Sequence, residues 1–371
     1  MKPYRRKFAL IAERPDVTLR VITPTRWYES FQEIVFQSDP DTPCEEFPCP
    51  IRFSGYGSRF YYRSGVKPHF RDFQPDIIHL EEEAWSLNAL QIVRLKRKYC
   101  RKSRFIFRTS LSIPTKQRFG VLPVWIERTV FRETDIAFPL STNAGRILTA
   151  RGYAGKQIAF PNGIDVRHFY KMDVRQLRDS LGLSSCFVIG YVGRLLQMKG
   201  IDTLLEALAR LVNRATHTYK LLIVGQGEDR LDFEKKAETL GISEQIVWID
   251  AVPPEDVAAY INCMDTLVLP SLTTSGWVEF FGRVLIEGMA CEVPVIGSDS
   301  GEIPNVINDA GLVFPEADAD ALAERIYQIA SDACLKSELV ARGLKRIHNF
   351  TWETIAERTY QVYQELLAAG R

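Results

Sequence analysis

Two carboxylates frame the segment that is best suited to bind a ligand, Glu279–Ala290, with the sequence EFFGRVLIEGMA. We expect Glu279 to lie in a loop just before a helix and Glu287 to lie two turns inside that helix, on nearly the same face. Such a pair can accept hydrogen bonds from several hydroxyls of a sugar or a ribose, and a helix that starts near Gly282 favours a phosphate or another anion. Two solvated helix carboxylates are the alternative, but the apolar neighbours of Glu287 argue against it.

A second segment, Tyr191–Gly200 (YVGRLLQMKG), carries two cations in a loop between a strand and a helix. A buried strand ends at Gly193 and a helix begins at Ile201, so backbone N–H groups and the positive end of the helix dipole favour an anion there. Arg194 can bind a phosphate through two hydrogen bonds, and Lys199 can supply a point charge. A solvated basic turn is the alternative.

The turn Gly225-Gln226-Gly227 follows another apolar run, Leu222–Val224. Two glycines separated by one residue let a ligand approach the backbone closely, but the same turn can simply start a helix. The segment lacks the third glycine and the later acidic residue of a dinucleotide-binding fingerprint, which disfavours an NAD site.

These segments need a scaffold, and the sequence predicts one of alternating strands and helices along the whole chain. Helical periodicity is clear in Ile201–Val212, where leucines recur at three- and four-residue steps. This alternation indicates an α/β protein with parallel sheets, in which ligands bind outside the carboxyl ends of the strands. The predicted strands are Val17–Thr23, Asp76–Leu80, Arg104–Thr109, Ile136–Pro139, Ile158–Phe160, Phe187–Val192, Lys220–Val224, Ile246–Ile249, Thr266–Leu269, Val293–Gly297 and Leu312–Phe314.

Composition is that of an ordinary globular protein. The 371 residues include 47 basic and 46 acidic side chains, and 46% of all residues are hydrophobic. This length suits about two domains, and the composition excludes a disordered, collagen-like or coiled-coil chain. No apolar run reaches the roughly 18 residues that span a bilayer, and the start lacks the apolar core of a signal peptide, so we expect a cytoplasmic protein.

The charge is divided unevenly along the chain. Residues 1–165 contain 27 Lys and Arg against 17 Asp and Glu, whereas the remainder contains 20 against 29. The change of sign coincides with Phe160–Asp165 (FPNGID), whose residue types favour a turn. We therefore expect a first domain over 1–163 and a second over 164–349, with uneven surface charge of no function as the alternative to two electrostatic tasks.

Taken together, these motifs resemble the retaining, metal-independent glycosyltransferases of family 4 (glycosyl transferases group 1), whose GT-B fold has two facing Rossmann-like domains. The segment around Phe350–Glu353 is also similar to the start of the family's terminal helix, so residues 350–371 are expected to cross back to the first domain. The matching stretches occur in family order over about 150 residues: Pro161–Asp165, Val192–Gly200, Val224–Gly227, Leu269–Ser271, Glu279–Glu287 and Pro294–Ile296.

The resemblance implies a role for each residue of a donor site. Arg194 and Lys199 would hold the diphosphate of a nucleotide-diphospho-sugar and stabilise the leaving group, so no metal or other cofactor is expected. Glu279 would bind hydroxyls of the transferred sugar, and Glu287 the ribose of the nucleotide. The other donor-binding residues that the resemblance implies are Gly193, Gly225, Gly227, Phe281, Gly282 and, beside the base, Val252.

The first half resembles the family less, as expected of the domain that holds the acceptor. His79 matches the first histidine of a His-x-His pair found in many members, but Glu81 occupies the position of the second. We therefore regard His79, Glu81 and Glu82 as acceptor-side candidates. A solvated acidic turn is the alternative.

The amino-terminal segment departs from the family pattern. Members open with a strand, a glycine-containing loop and then a helix, whereas Met1–Ala12 has the pattern of the helix itself and Val17–Thr23 that of the second strand. We expect the first domain to lack its usual central strand, leaving unpaired backbone groups on both neighbouring strands. The chain would then be truncated relative to an ancestor, or its start assigned too late.

The basic character of the first half concentrates in Arg94–Arg104, which holds seven cations in eleven positions. Related enzymes dock on anionic membranes through a basic first domain, and each cation contributes about 1 kcal/mol near such a surface. We therefore expect contact with an anionic membrane, on its inner face. Nucleic acid is not expected as a partner, since no recognition module accompanies the run; a solvated helix end is the alternative.

The sequence thus predicts a retaining glycosyltransferase that moves a sugar from a nucleotide-diphospho-sugar to a glycan or a lipid-linked acceptor. A non-catalytic protein that binds a nucleotide-sugar or serves as a partner remains open, because the first strand and the second histidine are missing. A nucleotide-sugar epimerase of similar architecture also remains open.

Overall fold

The computed structural model describes residues 2–29, 32–38, 43–111, 120–214 and 217–369. The chain forms two compact units. Unit 1 combines Met1–Gly163 with Trp352–Arg371, and unit 2 spans Ile164–Thr351. Helices and strands are numbered below along the whole chain.

Unit 1 contains a parallel sheet in the order β10-β9-β8-β7, a separate parallel pair β1-β4, and the antiparallel pairs β2-β3 and β5-β6. Its strands are β1 (Arg20–Pro24), β2 (Arg26–Glu29), β3 (Gln32–Val35), β4 (Glu45–Cys49), β5 (Ile51–Arg52), β6 (Tyr61–Tyr62), β7 (Ile77–Leu80), β8 (Arg104–Thr109), β9 (Ile136–Pro139) and β10 (Lys156–Gln157). Its helices are α1 (Lys2–Ala12), α2 (Pro68–Arg71), α3 (Leu87–Tyr99), α4 (Val121–Phe131), α5 (Thr142–Ala150) and α14 (Trp352–Ala368).

Unit 2 contains one six-stranded parallel sheet in the order β13-β12-β11-β14-β15-β16. Its strands are β11 (Phe187–Val192), β12 (Tyr219–Val224), β13 (Ile246–Ile249), β14 (Thr266–Leu269), β15 (Val295–Ser298) and β16 (Gly311–Phe314). Its helices are α6 (Arg175–Ser180), α7 (Ile201–Arg214), α8 (Arg230–Thr239), α9 (Val257–Asn262), α10 (Arg283–Ala290), α11 (Ile303–Ile307), α12 (Ala319–Ser331) and α13 (Ala333–Ile347).

The strand order of unit 2 reverses between β11 and β14. The chain moves outward from β11 through β12 to β13, then returns to the other side of β11 with β14. At such a reversal the loops that follow the two central strands diverge and leave a crevice at the carboxyl edge of the sheet. The sheet is anchored by α7, whose leucines at positions 204, 205, 208 and 211 are fully buried, as the sequence pattern predicts.

The strands of unit 1 form separate sheets, with β1 and β4 apart from β7 to β10. Residues 2–12 form α1, and the described residues contain no strand before Arg20. Within the described part of the chain, β1 pairs with β4 alone, and β7 pairs with β8 alone. All five residues of β1 are only half-buried, whereas β8, which lies between β7 and β9, has four buried residues out of six.

The sequence predicts an extended loop between Asp39 and Phe73, because this segment is rich in Pro, Gly, Arg and Tyr and has no clear period, but its described part contains regular elements. It contains β4, β5, β6 and α2, and β4 pairs with β1 in parallel register, with Thr23 opposite Pro48. Two glutamates and a proline in β4 hide the alternation that marks a strand. Residues 39–42 of the segment lie outside the described residues.

The last helix, α14, belongs to unit 1 and packs against α1. Trp352, Ile355 and Val362 on α14 share a buried cluster with Phe138 and Phe160. Gly163 lies so close to the Trp352 ring that a Cβ there would be 2.3 Å from it, so this position admits no side chain. None of the helices in the described residues is both long and apolar enough to cross a membrane.

Candidate functional site

Two loops at the carboxyl edge of the unit 2 sheet contain the candidate catalytic residues Arg194, Lys199 and Glu279. One follows β11 and runs from Gly193 to Gly200, and the other follows β14 and runs from Pro270 to Gly282. Gly200 has a φ of +70°, and a Cβ there would lie 1.9 Å from the carbonyl oxygen of Pro270. The N–H of Leu272 also donates to the carbonyl of Met198 at 2.9 Å. The two loops are therefore packed against each other at the reversal of strand order.

Lys199 and Glu279 meet between these loops. The Lys199 ammonium donates to Oε2 of Glu279 at 2.6 Å, and the Ser271 hydroxyl donates to the same oxygen at 2.8 Å. The side chains of Lys199 and Glu279 are only 14% and 10% exposed. Both hydrogen bonds end on Oε2, which leaves Oε1 as the oxygen that can accept from a ligand hydroxyl.

A buried tyrosine fixes the backbone of the loop Gly193–Gly200. The Tyr191 side chain is fully buried, and its hydroxyl donates to the carbonyl of Arg194 at 2.7 Å. The N–H of Leu195 donates to the carbonyl of Gln226 at 3.0 Å. The Arg194 side chain itself is exposed and forms no hydrogen bond or ion pair with the other described residues. A fixed backbone thus presents an unengaged cation at the carboxyl edge of the sheet.

Glu287 lies just over one turn inside α10, not two turns as expected. Gly282 has a φ of +79°, so the helix begins only at Arg283 and residues 279–282 are not helical. The two glutamates therefore do not share a helical face. The Glu287 carboxylate pairs with Arg283 at 3.1 Å, and burial raises its pKa, although Arg283 opposes the rise. No side chain caps the first turn of α10. The N–H of Leu285 donates to the carbonyl of Gly282 at 3.0 Å, whereas those of Arg283 and Val284 are available to an anion.

The glycines of the turn after β12 pack against protein backbone. A Cβ at Gly225 would lie 1.9 Å from the carbonyl oxygen of Gly193, and a Cβ at Gly227 would lie 2.1 Å from that of Leu195. The neighbouring loop alone therefore accounts for the absence of side chains at these positions. Val252 is half-buried and follows β13 at the same edge of the sheet.

The ring of Phe281 is buried, so only the backbone of this residue can contact a ligand. Its side chain is 4% exposed and packs edge-on against Phe350, with 5.6 Å between the ring centroids. The segment that joins Glu279 to α10 is thus anchored in the core of unit 2.

In unit 1, His79 belongs to β7, and its buried side chain faces α14. Its Nδ1 is 2.6 Å from the hydroxyl of Tyr363, and its side chain is 8% exposed. Burial, together with the charge of Lys7, lowers the pKa of His79 to about 3, so the ring is neutral at physiological pH. Its Nε2 lies 3.5 Å from Oε1 of Glu81, so the ring is enclosed between Tyr363 and Glu81.

Glu81 is held by two cations of the same unit. It pairs with Lys7 on α1, and its second oxygen is 3.6 Å from Arg108. Burial would raise the pKa of Glu81, but Lys7 and Arg108 outweigh that effect and lower it, so the carboxylate stays ionised. Its charge is already compensated, which limits it to accepting hydrogen bonds.

The next two glutamates differ in their partners. Glu83 accepts from the Thr109 hydroxyl at 2.6 Å and from the N–H of Ser110 at 2.7 Å, and thus joins the loops after β7 and β8. Glu82 accepts from the N–H of Glu83 at 2.9 Å. Burial raises the pKa of Glu82 to about 7, with the nearby charge of Glu83 adding to the rise. Glu82 can therefore change its protonation near neutral pH.

This raised pKa predicts a stability that falls as pH rises. The native protein holds the Glu82 proton up to about pH 7, whereas the unfolded chain releases it near the ordinary value of a glutamate, about 4.3. Between these two pH values the unfolded state binds fewer protons, so the free energy of unfolding should decrease with increasing pH. Urea unfolding at pH 5 and pH 7.5 should show that Glu82→Gln removes part of this decrease. The same change at the exposed Glu13 should leave this decrease in the free energy of unfolding intact. Equal effects of the two variants would contradict the assignment of the decrease to Glu82.

The sequence pattern gave no role to the residues that complete these clusters, although Ser271 lies in the matching stretch Leu269–Ser271. Ser271 and Trp277 join the Lys199–Glu279 pair, and Tyr363 reaches His79 from 284 positions away. Arg283 did carry a signal, since its i,i+4 spacing from Glu287 places both on one helix face. The other contacts depend on the tertiary fold and leave no local pattern.

Only part of the basic run Arg94–Arg104 of unit 1 is exposed and free of ion pairs with described residues. Lys96 is buried and pairs with Glu133 at 3.0 Å, which Arg97 also contacts, and Arg104 pairs with Asp135 at 2.8 Å. The cations of the run that remain exposed and form no ion pair with a described residue are Arg94, Lys98, Arg101 and Lys102.

Comparison with known proteins places these features in a family context. Residues 173–346 match the family model described as "Glycosyl transferases group 1". The phosphatidyl-myo-inositol mannosyltransferase of Mycobacterium leprae is 25% identical over 357 residues, which are 91% of this chain and 88% of that protein. The chain spans about half the length of several other curated relatives that it matches.

Solved structures resemble the fold of this chain over most of its length. The sucrose-phosphate synthase of Thermosynechococcus elongatus superposes with a TM-score of 0.70 at 22% identity, over 99% of this chain and 93% of that one. HepE of Anabaena, solved in complex with UDP, superposes with a TM-score of 0.66 at 18% identity, over 78% of this chain and 79% of that one.

Proposed function

We propose that this chain, which has a GT-B fold of two Rossmann-like domains and whose residues 173–346 match the group 1 glycosyl transferases, transfers a sugar from a nucleotide-diphospho-sugar with retention of configuration. The observation that carries the proposal is the Lys199–Glu279 pair at the reversal of strand order in unit 2. A cation for a diphosphate and a carboxylate for hydroxyls are thereby joined at the edge where parallel sheets bind ligands.

The donor would occupy the carboxyl edge of unit 2. Arg194 and Lys199 would bind the diphosphate, together with backbone N–H groups of Gly282 and the first turn of α10. Glu279 would accept hydroxyls of the transferred sugar through Oε1, and Glu287 would accept the ribose hydroxyls. The UDP bound by HepE supports a nucleoside diphosphate as the ligand class. The remaining positions that would border the nucleotide are Gly193, Gly225, Gly227, Phe281 and, beside the base, Val252.

Catalysis would rest on stabilising the leaving diphosphate. Negative charge develops on it as the bond from the sugar carbon to the phosphate oxygen breaks, and cations fixed beforehand stabilise that transition state. Arg194 and Lys199 would supply this charge without a metal. The acceptor oxygen would attack from the side that the diphosphate leaves, with its proton passing to the departing phosphate oxygen. No protein carboxylate would then be needed as a nucleophile.

Unit 1 would bind the acceptor, which we propose to be a glycan or a lipid-linked saccharide. The M. leprae relative is named for a phosphatidyl-myo-inositol substrate, which supports a glycolipid. Of the three candidates in this unit, Glu81 and Glu82 carry oxygens that can accept acceptor hydroxyls, whereas His79 is buried against Tyr363.

A membrane surface suits the exposed side of α4 in unit 1. Val121, Leu122 and Trp125 are 90%, 57% and 49% exposed, and the exposed Arg128 and Arg132 continue the same helix. Apolar side chains next to arginines are the pattern of a helix that lies in the interface of an anionic bilayer. We therefore propose that α4, together with the exposed part of the basic run, docks unit 1 on such a membrane.

Removal of both arginines should weaken this docking. At about 1 kcal/mol for each cation, the double variant Arg128→Ser/Arg132→Ser should bind phosphatidylserine-containing vesicles about thirtyfold less tightly. The charge-matched variant Arg175→Ser/Arg342→Ser in unit 2 should bind as the wild type does. Vesicle co-sedimentation at two salt concentrations measures both. Equal binding of the wild type to pure phosphatidylcholine vesicles would contradict the electrostatic component.

The transfer reaction is tested by a panel of donors. UDP-, GDP-, ADP- and dTDP-sugars are compared by thermal shift, and the donor that stabilises the protein is then incubated without acceptor. Slow release of free sugar and nucleoside diphosphate is expected of a transferase. Stabilisation without any turnover would indicate a non-catalytic binding protein, and reversible isomerisation of the donor would indicate an epimerase. No stabilisation by any donor would overturn the site assignment.

A further inference from the structure

Trp277 lies beside the ion pair of the donor site, in the loop between β14 and α10. The loop turns back on itself at Thr274–Trp277, where the N–H of Thr274 donates to the carbonyl of Trp277 at 2.8 Å. The Thr274 side chain adds a second contact to this turn, because its hydroxyl accepts from the N–H of Gly276 at 3.3 Å. Trp277 is thus presented from a turn with a defined backbone rather than from an open loop.

The indole of Trp277 faces the Lys199 ammonium. The Nζ atom of Lys199 is 4.6 Å from the centroid of the Trp277 ring, well within the distance at which a cation is attracted to an aromatic face. The same Nζ donates to Glu279 at 2.6 Å. Lys199 is therefore held by one charged partner and one neutral partner, at a side chain that is only 14% exposed.

These two partners respond differently to an anion. A diphosphate competes with Glu279 for the ammonium, because both are negatively charged acceptors. The indole carries no net charge, so it continues to attract the ammonium after the carboxylate has been released. An aromatic face next to the lysine therefore keeps the cation in place while its charged partner changes.

We propose that Trp277 is a positioning residue that holds the Lys199 ammonium where it meets the diphosphate of the donor. This inference rests on the proposed function, which gives Lys199 its role. Trp277 would then strengthen the binding of nucleoside diphosphates. It would not affect the binding of the corresponding monophosphates, since these lack the second phosphate.

Binding measurements separate this role from a structural one. The probes are UDP, GDP, ADP and dTDP, of which the tightest is selected on the wild type, and then its monophosphate. By calorimetry, Trp277→Leu should bind the diphosphate about fivefold less tightly, the factor that corresponds to about 1 kcal/mol. Affinity for the monophosphate should be unchanged, and Trp277→Phe, which keeps an aromatic face, should recover most of the loss.

A double-mutant cycle with Lys199 completes the test. If Trp277 acts through the ammonium, Trp277→Leu should have no further effect on diphosphate affinity in a Lys199→Met background. An equal loss for the diphosphate and the monophosphate, or a loss that persists without Lys199, would overturn this inference while leaving the proposed function intact. A wild type that binds none of the four diphosphates would overturn the proposed function, and this inference with it.

Discussion

Replacement of Lys199 by methionine should lower kcat for sugar transfer by about 10²- to 10³-fold, the loss that follows removal of one fixed donor from a developing negative charge. Methionine keeps an unbranched stem that can still pack against Trp277, so the change removes the ammonium and its ion pair with Glu279 while keeping most of the packing. Initial rates at saturating donor report this effect, because the charge on the leaving group is greatest in the transition state.

The control for this variant is a lysine that also neutralises carboxylates but lies elsewhere in unit 2. Lys236 pairs with Asp202 and Glu206, at 3.1 and 2.7 Å. Lys236→Met should leave kcat unchanged. A folded Lys199→Met protein with the activity of the wild type, or an equal loss in both variants, would rule out the electrostatic role of Lys199.

Glu287→Gln should weaken nucleotide binding by about ten- to a hundredfold without destabilising the fold. The loss follows from replacing a charged acceptor of the ribose hydroxyls with a neutral one, since such hydrogen bonds contribute about 1.5–3 kcal/mol. Burial raises the pKa of Glu287, so the folded protein holds this proton more tightly than the unfolded chain does. Glu287 should therefore contribute to a fall in the stability of the wild type as pH rises above the ordinary value of a glutamate, and the variant should lack that contribution while keeping the one from Glu82.

Calorimetry with the nucleoside diphosphate and urea unfolding at neutral pH measure the two effects separately. The matched control is Glu338→Gln, which breaks another i,i+4 pair with arginine, that of Glu338 with Arg342 on α13. This pair is about half exposed on both sides, so neither affinity nor stability should change. If Glu287→Gln reduced the free energy of unfolding as well as affinity, the carboxylate would be a structural group rather than a ligand-binding one.

Unit 2 could be predicted closely because its sheet is buried on both faces. A strand such as Phe187–Val192 then appears in the sequence as a continuous apolar run, and the structure gives β11 the same bounds. The period of 3.6 residues failed between Glu279 and Glu287: Glu279 lies in the loop before α10, as expected, but Glu287 lies only just over one turn inside the helix, so the two share no helical face. Gly282 carried the missing information, since a glycine with a φ of +79° ends the preceding loop and sets the first residue of α10.

Unit 1 was harder to predict because its strands depend on their neighbours. The sequence EEFPC has neither the residue types nor the alternation of a strand, yet it pairs with β1 over five residues. The division of the unit 1 sheet could be foreseen, because the sequence predicts no strand before Val17 and the described residues contain none before Arg20. The ion cluster of Lys7, Glu81 and Arg108 could not, since it joins α1, β7 and β8 through contacts that are distant in sequence.

The return of α14 to unit 1 has a consequence for the order in which the protein can fold during synthesis. Unit 2 is inserted between Gly163 and Trp352, and its two ends are paired, with the N–H of Ile164 donating to the carbonyl of Phe350 at 2.8 Å. Unit 2 can therefore close as soon as its own residues have left the ribosome. The core of unit 1 must wait for Trp352, Ile355 and Val362, although most of that unit is made first. The domain that begins the chain is thus the last to be finished, and its apolar surface stays uncovered for the whole time that unit 2 is being made.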